Sequence, residues 1–245
     1  MPTLRLRTCA SALVVCCSVA AAEVVTLGAS KDNTLFENVS GAISNGQGSY
    51  LYSGMTANGG LRRGLIAFDL SSIPAGSTIT NVSFTIRVSR TITATERTGL
   101  HRMLANWGEG QSNSNGQAGG GGGSPAEPGD ATWTHAFFGA VPWSNLGGDF
   151  DAAPSAGQQL VGVGFYTFSG AGLIRDVQSW VDDPSSNFGW AIIGNETVSG
   201  SAKRIDSRNN PTAANRPSLV VTYTPIPSPA TLAVLGLAVA WRRRR

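Results

Sequence analysis

The side chains able to do covalent chemistry are few. His101 and His135 are the only histidines, and neither lies in an H-E-x-x-H metal motif. No G-x-S-x-G elbow occurs. The three cysteines, Cys9, Cys16 and Cys17, all fall within the first 17 residues. The remainder therefore offers no thiolate nucleophile, no thiolate metal site and no disulfide framework. Triad and zinc hydrolysis lack their parts. Two carboxylates could still converge from distant positions, as in glycosidases. Asp182 and Asp183 are adjacent, but neighbours on a helix point apart, so they read as a helix-exit turn. Asp149 and Asp151 lie two apart in Gly147-Gly148-Asp149-Phe150-Asp151. Hard oxygens on a glycine-rich loop suit a structural Ca²⁺; turn chemistry is the alternative.

Non-covalent recognition has more candidates. Sugar binding needs aromatic faces against C–H surfaces, with hydrogen-bonding groups around them. Trp107, Trp133, Trp143, Tyr50 and Tyr52 supply the aromatic type. Core packing competes for each of them, most of all for Trp107, Trp180 and Trp190. Trp133 and Trp143 sit in Gly/Pro/Asn-rich surroundings, where exposure competes evenly with packing. An acidic glycan would also need cations, and Arg62, Arg63, Arg175, Lys203, Arg204 and Arg208 are available, unless paired or solvated.

The elements that must position these groups read as strands. Only 13% of residues are charged and 31 are glycine, a poor composition for helix bundles and a good one for loop-rich β structure. Val82, Phe84, Ile86 and Val88 alternate with polar residues, the period of a half-buried strand. Leu65-Ile66-Ala67-Phe68 and Trp190-Ala191-Ile192-Ile193 are continuous apolar runs, as for strands buried on both faces. Leu219 to Tyr223 reads as the last strand. Asn58-Gly59-Gly60, Ile73-Pro74-Ala75-Gly76 and Ser199-Gly200 mark turns. One stretch differs. Leu173, Ile174, Val177, Trp180 and Val181 recur at helical spacing and predict an amphipathic helix over Gly172 to Asp182, stopped by Pro184. Gly108 to Asp130, a long polar loop without a period, predicts a mobile insertion, and its Gly119 to Gly123 run lacks the lysine of a phosphate loop, so a nucleotide role has no support. The expectation is an all-β jelly-roll sandwich over residues 23–224 with one short helix.

Both ends read as addresses. Arg5 and Arg7, an apolar stretch from Ala10 to Val19, and Ala20-Ala21-Ala22 form a secretory signal layout, cut by signal peptidase before Glu23. At the other end, Pro225-Ile226-Pro227-Ser228-Pro229 precedes twelve uncharged residues, Ala230 to Trp241, and then Arg242, Arg243, Arg244 and Arg245. Twelve helical residues span about 18 Å, short of a ~30 Å hydrocarbon core, which fits transient rather than permanent membrane association. This block resembles the PEP-CTERM sorting signal, with Ser228 where that family has Glu. The resemblance implies removal by an exosortase-like enzyme and delivery to the surface or exopolysaccharide matrix of a bacterium.

The middle also has a resemblance. Asp32-Asn33-Thr34-Leu35-Phe36-Glu37 echoes the motif that names the DNRLRE domain, with Thr34 and Phe36 replacing its arginines. Arg62 to Ile79, Asn106 to Gly110, Gly147 to Asp151, Val177 to Val181, Asn187 to Trp190, Ser207-Arg208 and Arg216 to Tyr223 follow in family order. The family overlaps carbohydrate-binding module family 96, jelly-roll modules of secreted polysaccharide-processing proteins, some of which bind acidic polysaccharides. The resemblance implies a non-catalytic extracellular glycan-binding or matrix module.

Charge narrows the partners. The whole chain is formally +3, but Arg5, Arg7 and Arg242 to Arg245 lie in the two address segments. Between them, 12 basic residues face 15 acidic ones, a net −3. Nucleic-acid binding loses its basis, and an acidic glycan would need a local arginine cluster. Three functions remain: a polysaccharide-binding module, a structural or adhesive matrix protein without a discrete site, and a polysaccharide lyase or hydrolase.

Overall fold

Alternation and turns build an antiparallel circuit. In a computed structural model, the described residues are 21–93, 95–114 and 121–226; the signal segment to Ala20 and the sorting segment from Pro227, including Ser228, Pro229 and Arg242 to Arg245, lie outside them. The strands run β1 Glu23–Phe36, β2 Ile43–Ser44, β3 Tyr50–Met55, β4 Leu61–Phe68, β5 Thr78–Arg90 and β6 Glu96–Arg102. They continue as β7 Ser124–Pro125, β8 His135–Phe137, β9 Val141–Pro142, β10 Ala156–Leu160 and β11 Gly164–Ser169. Helix α1, Ala171–Asp182, precedes β12 Trp190–Ile193, β13 Lys203–Asp206 and β14 Ser218–Thr224. Residues Ala22–Pro225 form one compact unit.

Pairing runs β1–β14–β5–β13–β3–β4 and returns to β1, a closed barrel-like ring. β11 branches from β5, while β12, β6 and β10 extend from β4. β1 serves both halves of the ring. Glu23 to Gly28 pair with β14, and from Ala29 the strand pairs with β4, with a register shift between Ala29 and Lys31. The β3–β4 hairpin turns at Gly59, whose φ of +84° suits glycine.

The core follows the sequence period. Val82, Phe84, Ile86 and Val88 are fully buried, with Leu51, Ile205, Leu219 and Val221. Trp190 is its centre, stacked on Phe84 (centroids 6.0 Å apart) and edge-on to Trp180 of α1 (4.6 Å). Its Nε1–H donates to the Asp176 carboxylate at 2.7 Å. The amphipathic stretch is indeed helical, and it buries Leu173, Val177, Trp180 and Val181. Asp183 leaves the helix as a turn, its carboxylate accepting from Ser185 N and Oγ.

β4 and β12 are buried on both faces, as their apolar runs require. Ile66, Phe68, Trp190 and Ile192 face the main core, while Leu65, Ala67 and Ala191 face a second one. The second core is a covering layer drawn from residues 103–150, where Met103, Trp107, Ala131, Trp133, Ala136 and Trp143 close over Leu35 and Leu65. The described parts of the expected mobile insertion, 108–114 and 121–130, are packed into this layer, while 115–120, with Gly119 and Gly120 of its glycine run, lie outside the described residues. Ser112, Ser114 and Asp130 are buried, Ala131 N donates to Gly108 O at 2.8 Å, and Ser124–Pro125 pairs with Ile43–Ser44. Gln111, Asn113 and Glu127 of this stretch are exposed, but Ser112, Ser114 and Asp130 do not face water. Buried polar groups of this kind satisfy the backbone of a layer that has little regular structure to do so.

Candidate functional site

The three candidate tryptophans are inside. Trp133 and Trp143 are 8% and 7% exposed, and Trp107 is 1% exposed. The indole N–H of Trp143 donates to Thr132 O at 2.9 Å, and that of Trp107 to Phe188 O at 2.8 Å. Arg63 lies over the Trp133 ring (4.8 Å to the centroid), and Lys31 lies over Trp107 (4.1 Å). None of the three presents a free face to a sugar, because the covering layer uses them as its hydrophobic content.

The Asp149 and Asp151 pair does not fit a cation either. The Asp149 carboxylate accepts from Ser144 N, Asn145 N and Asn145 Nδ2 at 2.8–2.9 Å. Its partial burial opposes ionisation, but these donors prevail and hold its pKa below the usual carboxylate range. Donated hydrogens converge where a Ca²⁺ would need free oxygens. Asp151 is exposed, and no cluster of three His, Cys, Asp or Glu able to hold a metal occurs among the described residues.

Two candidate arginines are occupied. Arg63 forms a two-pronged pair with Glu196 (2.7 and 2.8 Å) and donates to Gly147 O. Arg208 pairs with Glu109, whose Oε1 also accepts from Asp32 N at 2.9 Å. Asp32 is fully buried; one oxygen accepts from Arg208 N at 2.7 Å and the other has no partner. Burial pushes its pKa up to about 7, against the Arg208 N–H. Asn33 next to it binds Ser44, Glu109 O and Ala131 O. The Asp32-Asn33 motif is thus a hub that clamps the covering layer to β1. Arg175 is exposed on α1.

Two further cations, Arg204 and Arg90, meet in one place. Register puts Arg204 of β13 opposite Tyr52 of β3, and Arg90 of β5 opposite Arg204. The β5–β13 ladder is irregular here: Val88 faces Ile205 and Arg90 faces Arg204, which leaves Ser89 as an extra residue. Strict alternation after Val88 would send Arg90 inward. The bulge turns it to the face of Arg204 instead. Arg204 is fixed by a bond to Ser89 Oγ at 3.0 Å and by stacking on Tyr50 (4.0 Å to the centroid). Arg62 lies over Phe36 at 4.9 Å; burial lowers its pKa, against the pull of Glu37. Burial pushes the Tyr52 phenol up to about 12, with Arg204, Arg90 and Arg62 opposing that rise. Among the described residues, Arg62, Arg90 and Arg204 are in no ion pair.

Tyr52, Arg90 and Arg204 line a groove of about 280 Å³ with Thr56, Ala57, Thr91, Ile92, Gly121 and Ala202. A larger cavity of about 330 Å³ lies beneath α1, lined by Leu70, Ile73, Trp180, Val181 and Asn187. It has Asp69 and no cation on its wall, so the groove is the better match to an anion. Tyr50, Tyr52, Arg62 and Arg204 were legible as candidates by type. Arg90 and Ile92 were not, although an arginine continuing the interior parity of Val82 to Val88 is itself the trace of a bulge. Compared with known proteins, the chain matches no family model and no curated protein.

Proposed function

We propose that this chain is a secreted, non-catalytic β-sandwich protein that binds acidic polysaccharide through the Tyr52 groove. One observation carries the reading. Arg90 and Arg204 face each other across a ladder, beside Tyr52, with no carboxylate paired to either. Like charges directly opposite are destabilising, and an anionic ligand relieves that repulsion. The arginines form the local cluster that a domain of net −3 needs in order to hold a polyanion. We take the ring as a jelly roll of the DNRLRE and carbohydrate-binding-module type. In this reading the terminal segments deliver it to the bacterial surface or exopolysaccharide matrix.

Tyr52 weighs against a lyase, since a phenol raised to about 12 is a weak acid and sits far from the poise of a base at neutral pH. A structural or adhesive role draws on a separate feature, the exposed apolar Val161 and Val163 between β10 and β11 with Phe165 at the start of β11.

The test is affinity electrophoresis in gels containing a polyuronate, across salt. Wild-type retardation should fall steeply as salt rises, because exposed charge pairs are screened. Arg204→Ala should weaken binding about tenfold, the scale of one charge-assisted hydrogen bond at ~1.5 kcal/mol. Mobility that ignores the polyuronate, or retardation that survives the double change of Arg90 and Arg204 to alanine, refutes the assignment.

A further inference from the structure

The Tyr52 groove has a mixed lining. Arg90 and Arg204 share it with the apolar side chains of Ala57, Ala202 and Ile92. Ile92 is 69% exposed, yet it is held in place. Lys203 lies beneath its loop, 1% exposed, and its ammonium donates to Thr91 Oγ1 (2.6 Å), Thr93 Oγ1 (3.1 Å) and Thr93 O (3.2 Å). Burial lowers the Lys203 pKa, against the attraction of Glu96. Ile92 itself rests over Gly200, where a Cβ would come within 3.3 Å of its Cδ1. A buried cation is an expensive way to position an exposed isoleucine. Solvation alone gives no reason to fix an apolar side chain there, whereas a ligand with an apolar substituent does.

A bare uronate has a carboxylate and hydroxyls but no methyl group. We infer that the groove recognises an acidic polysaccharide bearing short acyl esters, with the carboxylate on Arg90 and Arg204 and the ester methyl against Ile92, Ala57 and Ala202. This rests on the acidic-polysaccharide reading and specifies it. Lys203 is then a positioning residue for Ile92.

The experiment compares an O-acetylated polyuronate with the same polymer after mild alkaline de-esterification, at matched chain length and ionic strength. Each buried methyl should improve affinity about fourfold, from ~0.8 kcal/mol per apolar carbon. Ile92→Ser should erase the difference between the two polymers, and Lys203→Met should reduce it, with thermal melts confirming that both variants are folded. Equal affinity of wild type for the two polymers, or tighter binding of the bare one, overturns the ester inference and leaves the acidic reading standing. Binding of neither polymer sinks both. A preference that persists undiminished in Ile92→Ser places the methyl elsewhere and also overturns the assignment.

Discussion

Trp133→Ala separates a tryptophan that carries a layer from one that carries a ligand. Trp133 is 8% exposed and stands in the second core with Leu35, Leu65 and Met103. Removing a buried tryptophan side chain costs about 3–5 kcal/mol through lost transfer energy and the cavity left behind. The Arg63 guanidinium over the ring adds roughly 0.5–1 kcal/mol at such a partly exposed contact. Gly147 fits against this ring so tightly that a Cβ there would come within 2.8 Å of it, so the site has little freedom to collapse. The assay is urea unfolding followed by near-ultraviolet circular dichroism. With a slope of about 3 kcal/mol per molar urea for a domain of this size, the midpoint should fall by about 1–2 M. Polyuronate retardation by the folded variant should stay within about twofold of wild type. A midpoint shift below about 0.3 M together with lost retardation would show that Trp133 is a surface platform and that the buried-layer reasoning is wrong.

Two further outcomes follow from charge. Asp32 has a folded pKa of about 7, above its unfolded value near 3.9, so the native state binds the extra proton between those limits. Its contribution is least unfavourable near pH 4 and worsens as pH rises to about 7. Asp32→Asn should therefore gain stability relative to wild type on going from pH 5 to pH 8, by melting temperatures at both; a constant difference contradicts this. Arg63→Ala should destabilise more than Glu196→Ala, because Arg63 also donates to Gly147 O and covers the rings of Trp133 and Phe150. Urea midpoints check that order, and equal losses would reduce Arg63 to a simple ion-pair partner.

The strands were legible where one physical rule governed them. Val82 to Val88 alternate because one face of β5 meets the core, and the unbroken runs at Leu65 and Trp190 reflect burial of two faces. What covers the second face was not legible. Residues 103–150 have no period, since Asn33, Asp130 and Asp149 side chains supply the hydrogen bonds that a ladder would supply elsewhere. Polar residues in that role look like solvated loop, and Trp133 and Trp143 among them read as no more buried than exposed. The groove was half legible. Residue type nominated Tyr52 and Arg204, but their meeting depends on β13 pairing with β3 across about 150 residues, and Arg90 joins them through one extra residue at Ser89, whose trace is an arginine at interior parity.

The shared use of β5 has a mechanical consequence. β14 is laddered to it from Thr78 to Thr85, and β13, which bears Arg204, meets it at Val88 and Arg90. A pull on Thr224 along β14 that is resisted by polymer held at Arg204 runs lengthwise through β5. The β14–β5 ladder is then loaded in shear, with its bonds sharing the force, and cannot unzip one pair at a time. A protein tethered at one end and gripping a moving polymer at the other would hold under tension that peels apart strands joined end-on.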